Sequence, residues 1–217
     1  MFDLPQSTIV NKIIPKNSFD SFFNNNQKKE LSENFARITW QNKIAFDTVN
    51  LQGGEIKEIQ VFLVELKKKG HFMKLLNIID KYIPYNIIFL VQYKNDFLIS
   101  TSIKHINPIN ESLMVIDYTY TSSWLDLNDR SYKIVLKKNL DHVMKLFCEQ
   151  FMSSSEDSLN TSLKELTNRQ IEKDKLSSEI ERLKSEIAKC KQFNRKVELN
   201  LKLKKLIRLY KMNNYEW

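Results

Sequence analysis

Hydrophobic positions in the first two-thirds of the chain follow the patterns of a mixed α/β domain. A β-branched, largely apolar run over Ile56–Lys67 predicts a central strand. Apolar residues then recur at helical spacing over 72–82 until Pro84 prevents continuation, which predicts a helix crossing over the sheet. Residues 87–93 and 97–103, separated by three polar residues, predict a β-hairpin.

Shorter signals complete this predicted domain, which we place at residues 1–152. They comprise an apolar element and helical turn over 8–23, a polar connection over 24–29, helices over 31–36 and 140–151, and strands over 37–40, 43–46 and 113–120. The predicted fold class is therefore α+β, a mixed sheet with flanking helices.

A different periodicity begins after Ser153-Ser154-Ser155, which we take as the domain boundary. Residues 156–217 are predicted to form a helical coiled-coil segment with a basic end. Its heptad seam, a predicted partner surface, steps by four and three through Leu176, Ile180, Leu183, Ile187, Cys190, Asn194, Val197 and Leu201. So narrow a seam needs a facing helix from the same chain, a second copy or another protein.

Asn194 is predicted at an inward position of this seam, where a polar side chain can fix register and partner number. Beyond Asn194 the apolar phase changes. It continues through Leu199, Leu203, Leu206 and Tyr210, as in a bend or a helical hairpin.

Charge is concentrated at the carboxy-terminal end. The net charge is +8, and residues 188–217 carry nine Lys and Arg against two acids, which is +7. Such a segment attracts phosphate backbones, anionic protein surfaces or membranes without sequence specificity. The residues predicted to contact nucleic acid, whether DNA or RNA, are Lys191, Arg195, Lys196, Lys202, Lys204, Lys205 and Arg208.

Cysteine spacing and hydropathy suggest a compartment. Cys148 and Cys190 are far apart, without the spacing of a disulfide framework or a zinc site. The longest apolar stretch, Ile87–Val91, is too short to cross a bilayer, and the amino terminus lacks a secretory pattern. We therefore expect a soluble cytoplasmic protein without a membrane partner.

One constellation suggests catalysis. Asp47 on one predicted strand, then Glu65 and Lys67 on the next, followed by a helix and a strand, is the order found in nucleases with a restriction-endonuclease-like topology. Asp47 and Glu65 would hold Mg²⁺, and Lys67 would stabilise developing charge or help to activate water. Glu-x-Lys is also a frequent triplet, and Asp47 fits a turn equally well. Catalysis stays open, and outside this alternative no cofactor is expected.

Several segments resemble a bacterial family known as domain of unknown function 4391. They are Ile38-Thr39-Trp40-Gln41-Asn42-Lys43, Asp47-Thr48-Val49-Asn50, Glu58-Ile59-Gln60-Val61, Glu65-Leu66-Lys67, residues 83–89 and residues 191–200. The resemblance implies an association with DNA helicases and DNA methyltransferases, beside which such proteins tend to be encoded in defence-type or restriction-modification-like clusters.

Three functions follow as hypotheses. The first is an accessory subunit that binds a helicase or methyltransferase subunit, and with it DNA, in a DNA-processing complex. The second is a metal-dependent DNase that uses Asp47, Glu65 and Lys67. The third is a homodimeric scaffold, joined through the coiled coil, that has no role in nucleic-acid binding.

Overall fold

The structure is a computed structural model that describes residues 2–152 and 161–215, with side chains described to Lys211. The chain divides into two compact units, Met1–Ser153 and Ser154–Trp217. The predicted boundary at Ser153-Ser154-Ser155 lies outside the described residues.

The first unit is built on a mixed sheet. Its strands are β1 (Ile9–Ile13), β2 (Phe35–Ala45), β3 (Glu58–Leu66), β4 (Asn86–Tyr93), β5 (Asp96–Ile106), β6 (Met114–Thr121) and β7 (Leu125–Asp126). Neighbouring strands follow the order β1-β2-β3-β4-β5-β6, with β7 beside β5. The β3–β4 pair is parallel, and every other pair is antiparallel. The predicted mixed sheet with flanking helices is confirmed.

Helices and two 3-10 turns (Gln6–Thr8 and Lys16–Phe22) accompany this sheet, and a pair of long helices forms the second unit. The helices are α1 (Asn25–Asn34), α2 (Phe46–Val49), α3 (Met73–Tyr82), α4 (Leu140–Glu149), α5 (Leu163–Lys189) and α6 (Phe193–Tyr215). The predicted crossover helix is α3, and its connection between β3 and β4 makes those two strands parallel.

Alternate residues of the central strands point to opposite faces of the sheet. Phe62 of β3 and Phe89 of β4 lie in the buried cluster that includes Leu75 and Ile79 of α3. The apolar α4 side chains Leu140, Val143, Met144 and Phe147 are buried outside that cluster, and α4 contacts β3. Each fully buried Leu, Ile or Phe contributes about 1.5–3 kcal/mol to stability, so these two layers hold the sheet in place.

Two local predictions near the amino terminus are wrong. The segment over 24–29, predicted as a polar connection, contains the start of α1. Asn24 accepts a hydrogen bond from the Gln27 backbone N–H (2.9 Å), and the Gln27 side chain accepts one from the Asn24 N–H (3.0 Å). This capping box satisfies amide groups that otherwise stay unpaired at a helix start. The predicted strands over 37–40 and 43–46 are one strand, β2, with an irregular register between Trp40 and Asn42.

A buried ion pair joins α3 to β5. The Lys104 Nζ lies 2.6 Å from Asp80 Oδ1, and both side chains are almost fully buried. The Lys104 ammonium also donates to the backbone carbonyls of Asp80 and Ile83, both at 2.7 Å. Burial raises the pKa of Asp80 and lowers the pKa of Lys104, because it disfavours both charged forms. The pair thus fixes the last turn of α3 on the sheet.

The loop before β3 is held by the first turn of α4. The Asp141 carboxylate accepts hydrogen bonds from three consecutive backbone N–H groups, those of Gly54 (2.5 Å), Glu55 (3.0 Å) and Ile56 (3.0 Å). Gly53 lies so close to Ile56 of the same loop that an added Cβ would meet the Ile56 carbonyl oxygen at 1.6 Å. A side chain at position 53 therefore requires the loop to move.

The outer strand β1 is irregular. Its register on β2 shifts between Ile9 and Lys12, and Asn11 adopts a left-handed conformation with φ of 47°. Ile9 and Ile13 are exposed on this strand.

Candidate functional site

Asp47 does not lie on a strand. It belongs to the short helix α2 that follows β2, and its carboxylate accepts a hydrogen bond from the Lys43 ammonium at 2.7 Å. This contact lowers the pKa of Asp47. The carboxylate is therefore an exposed, ion-paired group at the end of β2.

Glu65 and Lys67 are each engaged by other groups. The Arg37 guanidinium donates to both carboxylate oxygens of Glu65 across the β2–β3 pair. Lys67 follows the last residue of β3, and its ammonium donates to the Ser32 carbonyl at 2.8 Å. Because β3 ends at Leu66, Lys67 lies just beyond the strand, and the placement of both side chains on one face stays a prediction.

The fold separates Asp47 from Glu65. Ala45, two residues before Asp47, pairs with Glu58 at one end of β3, and Glu65 lies seven residues further along that strand. At about 3.3 Å per residue, this separation is roughly 23 Å. The two carboxylates therefore cannot hold one Mg²⁺ ion as predicted. Among the described residues, no group of three or more His, Cys, Asp and Glu side chains is placed to hold a metal.

The predicted heptad seam is divided by a break in the helix. Cys190 has an extended backbone (φ −75°, ψ 121°) that ends α5, and α6 begins three residues later at Phe193. The α5 helix packs against α6, so the facing helix comes from the same chain. Ile180 and Leu183 are buried, and Leu176 and Ile187 are partly buried.

The α6 members of the predicted seam face outward. Leu199 of α6 is buried, in agreement with the phase change predicted beyond Asn194. Asn194 itself is exposed, so its predicted inward position is wrong. Val197 and Leu201 are 44% and 62% exposed, and Phe193 at the same spacing is 78% exposed. We call Phe193, Val197 and Leu201 the exposed row of α6.

Basic residues surround and extend the exposed row. Arg195 forms ion pairs with Glu186 of α5 (3.6 Å) and with Glu198 (3.2 Å). Lys204 and Arg208 lie eleven and fifteen positions after Phe193, close to whole numbers of helical turns, and so continue the row's face. The other predicted nucleic-acid contacts, all exposed, are Lys191, Lys196, Lys202 and Lys205.

A cavity of about 260 Å³ lies beside β1. Its lining residues carry no titratable side chain, so acid–base chemistry has no group to use there. They are Phe2, Leu4, Ile9, Asn11, Gln41 and Asn42.

The fold and these surfaces define a two-unit protein, a mixed α/β domain followed by a basic helical hairpin. The chain belongs to the family described as Domain of unknown function (DUF4391), whose family model matches residues 2–208. Neither a curated protein nor a solved structure matches the chain. Within the described residues, no helix combines the length and apolar character that a membrane crossing requires.

Proposed function

We propose that this protein is a noncatalytic accessory subunit of a bacterial DNA-processing complex with a role in antiphage defence or restriction-modification. In this proposal α6 binds another protein of the complex. The observation that supports it is the exposed row of α6, with Phe193 78% exposed and Leu201 62% exposed.

The exposed row has the spacing of a helix-binding surface. Apolar side chains four residues apart lie above one another on a helix, and recognition of a helix by a partner groove uses this spacing. Burying a large apolar side chain contributes about 1.5–3 kcal/mol, so covering Phe193 and Leu201 would stabilise a complex.

Charge indicates the chemistry of the partner. Lys204, Lys205 and Arg208 follow the exposed row along α6 and are exposed, and none forms an ion pair with any side chain in the described part of the chain. Oppositely charged surfaces speed association and set orientation. The expected partner surface is an apolar groove with an acidic end.

The proposed role in DNA processing rests on the resemblance of the sequence to the family known as domain of unknown function 4391. It makes a helicase subunit, a DNA methyltransferase subunit or both the expected partners, in a soluble cytoplasmic complex. The basic residues of α6 would then lie close to the DNA that this complex handles.

Replacement of the exposed row tests the proposal. We expect Phe193→Ser, Val197→Ser and Leu201→Ser together to weaken binding to the purified helicase or methyltransferase encoded beside the gene by at least about tenfold. The control is Lys164→Ser, Asn168→Ser and Glu172→Ser, three exposed α5 positions with the same spacing and no change in net charge.

The possible outcomes separate the hypotheses. Isothermal titration calorimetry on the full chain measures affinity, and analytical ultracentrifugation measures oligomeric state. Equal binding by both triple variants would refute docking through α6. A dimer that only the α6 variant disrupts, without binding to either subunit, would favour the homodimeric scaffold.

The Mg²⁺-dependent DNase ranks second. One feature favours it: the Glu-x-Lys triplet leaves β3, and α3 then leads to the parallel strand β4, the order of elements expected for a restriction-endonuclease-like topology. Such a site would have to work without Asp47 and would need Glu65 to leave Arg37.

A further inference from the structure

The carboxyl ends of β3 and β4 form one edge of the sheet, because these neighbouring strands are parallel. Glu65 pairs with Gln92 across these two strands. Continuing the same register places Lys67, just beyond β3, opposite Lys94 in the turn after β4. Ligands of open α/β sheets bind outside the carboxyl ends of the strands. This edge is therefore a candidate ligand site of the domain.

Six basic side chains from four parts of the chain gather at this edge, which we call the basic edge. They are Lys16, Arg37, Lys67, Lys68, Lys69 and Lys94. Three carboxylates accompany them: Glu65 on Arg37, Glu33 on Lys68 at 3.8 Å and Asp96 on Lys69 at 2.5 Å. Asp126 of β7 pairs directly with Asp96 and brings a fourth carboxylate to this edge, so six positive against four negative charges leave a net charge of +2.

Lys16 and Lys67 both bind backbone carbonyls where α1 meets β2. The Lys16 ammonium donates to the Phe35 carbonyl at 2.9 Å and the Lys67 ammonium to the Ser32 carbonyl at 2.8 Å. The pKa of Lys16 is lowered, first by burial and then by the charge of Lys67. An anion between the two ammonium groups would relieve this repulsion.

Aromatic rings lie among these cations. The Tyr93 ring has the Lys69 ammonium 5.8 Å and the Lys94 ammonium 5.3 Å from its centroid. The Lys69 ammonium also lies 4.4 Å from the Trp124 ring centroid. Basic side chains interleaved with aromatic rings are typical of surfaces that bind single-stranded nucleic acid, because phosphates contact the cations and bases stack on the rings.

We propose that the basic edge binds the phosphodiester backbone of a single-stranded nucleic acid. Lys67, Lys68 and Lys94 contact phosphates, and Tyr93 stacks against a base. This site lies in the first unit and does not involve α6, so it stands independently of the docking function proposed above.

Anisotropy titrations of the full chain with labelled single-stranded DNA, double-stranded DNA and RNA of equal length test the site. The variant carries Lys67→Gln, Lys68→Gln and Lys94→Gln. Its control carries Lys57→Gln, Lys81→Gln and Lys137→Gln, which removes the same charge from exposed lysines elsewhere in the first unit. We expect the variant, and not the control, to lose at least about tenfold in affinity and about two units of the log–log salt slope, since each lost phosphate contact removes about 0.7.

Substitution of Tyr93 separates the contribution of base stacking to affinity from the contribution of charge. We expect Tyr93→Leu to weaken single-stranded binding by about tenfold with an unchanged salt slope, because stacking one base contributes about 1–3 kcal/mol. Double-stranded binding should change little. The far-ultraviolet circular dichroism and thermal melting of every variant establish that it is folded.

A fourth variant, with Lys202, Lys204, Lys205 and Arg208 all changed to Gln, tests the contacts predicted on α6. Loss of binding in this variant alone would overturn the basic-edge proposal and move the contact to α6. Equal losses of affinity in the variant with Lys67, Lys68 and Lys94 changed and in its control would overturn the proposal too, because net charge would then explain the binding. Absence of binding to all three nucleic acids at low salt would exclude the site.

Discussion

Arg37 and Glu65 face each other across β2 and β3, and the guanidinium donates hydrogen bonds to both carboxylate oxygens. The oxygens that a divalent cation would use as ligands thus already have a positively charged partner from the same chain. Together with the distance from Asp47, this pairing argues against the predicted Mg²⁺ site at the end of β3.

The pairing leads to a prediction about cleavage. We expect supercoiled and single-stranded DNA to remain intact with the full chain in Mg²⁺ or Mn²⁺, and Glu65→Gln to leave that result unchanged. Gel electrophoresis after prolonged incubation measures it. Cutting by the wild-type protein that both Glu65→Ala and Lys67→Ala abolish would contradict this expectation and establish the DNase.

The buried pair of Asp80 and Lys104 should matter for stability. Asp80→Ala leaves the Lys104 ammonium buried without its carboxylate, so we expect the free energy of unfolding to fall by about 3–5 kcal/mol. The double change Asp80→Leu with Lys104→Met removes both charges and should recover much of this loss. Urea unfolding of Asp80→Leu, of Lys104→Met and of the double variant gives the coupling energy. Additive losses would show that the two residues act separately.

Gly53 and Gly54 form a matched pair for the loop before β3. An added Cβ at Gly53 would overlap the Ile56 carbonyl oxygen, whereas one at Gly54 would meet Asp141 Oδ2 at 3.4 Å, an ordinary contact. We expect Gly53→Ala to lower the free energy of unfolding by at least about 2 kcal/mol and Gly54→Ala to change it much less. Thermal and urea denaturation measure both. Similar losses would mean that backbone freedom rather than crowding governs this turn.

Cys148 provides a pH-dependent prediction. Burial raises the pKa of this thiol well above its ordinary value of 9.0. Below pH 9 the folded and unfolded chains both keep the proton, and above it only the unfolded chain releases it. The wild-type protein should therefore lose about 1.4 kcal/mol of stability per pH unit above pH 9 relative to Cys148→Ala. Urea unfolding of both proteins between pH 7 and pH 10.5 tests this, and parallel pH profiles would contradict it.

Much of the first unit could be predicted from local sequence signals. Gly70 and Pro84 border α3, and the β-branched run before it identifies β3, so the order strand, helix, hairpin follows from the sequence alone. The start of α1 was missed because Asn24 and Gln27 resemble a polar loop until their reciprocal hydrogen bonds are seen.

The break at Cys190 could not be predicted in the same way. The heptad steps continue through Cys190 and Asn194, and residues 153–217 contain neither Pro nor Gly. The chain turns there because Leu199 then packs inward and helps to cover the apolar face of α5 within the second unit. Only the phase change toward Leu199 indicated this turn in advance.

The basic edge was hidden for a topological reason. Lys67-Lys68-Lys69 alone has the pattern of an ordinary charged end of a strand, and Lys94 lies 25 residues after Lys69. The parallel register of β3 and β4 brings them together, and sequence spacing does not reveal that register. A search for basic residues just after each of two strands joined by a crossover helix would have found this edge.

The left-handed Asn11 has a consequence for how this protein behaves at high concentration. An outer strand that exposes Ile9 and Ile13 would otherwise offer its free backbone groups to a neighbouring molecule and recruit it edge to edge. The twist at Asn11, beside the register shift, breaks that row of groups after a few residues. β1 can thus form the outer strand of the sheet without becoming a template for aggregation.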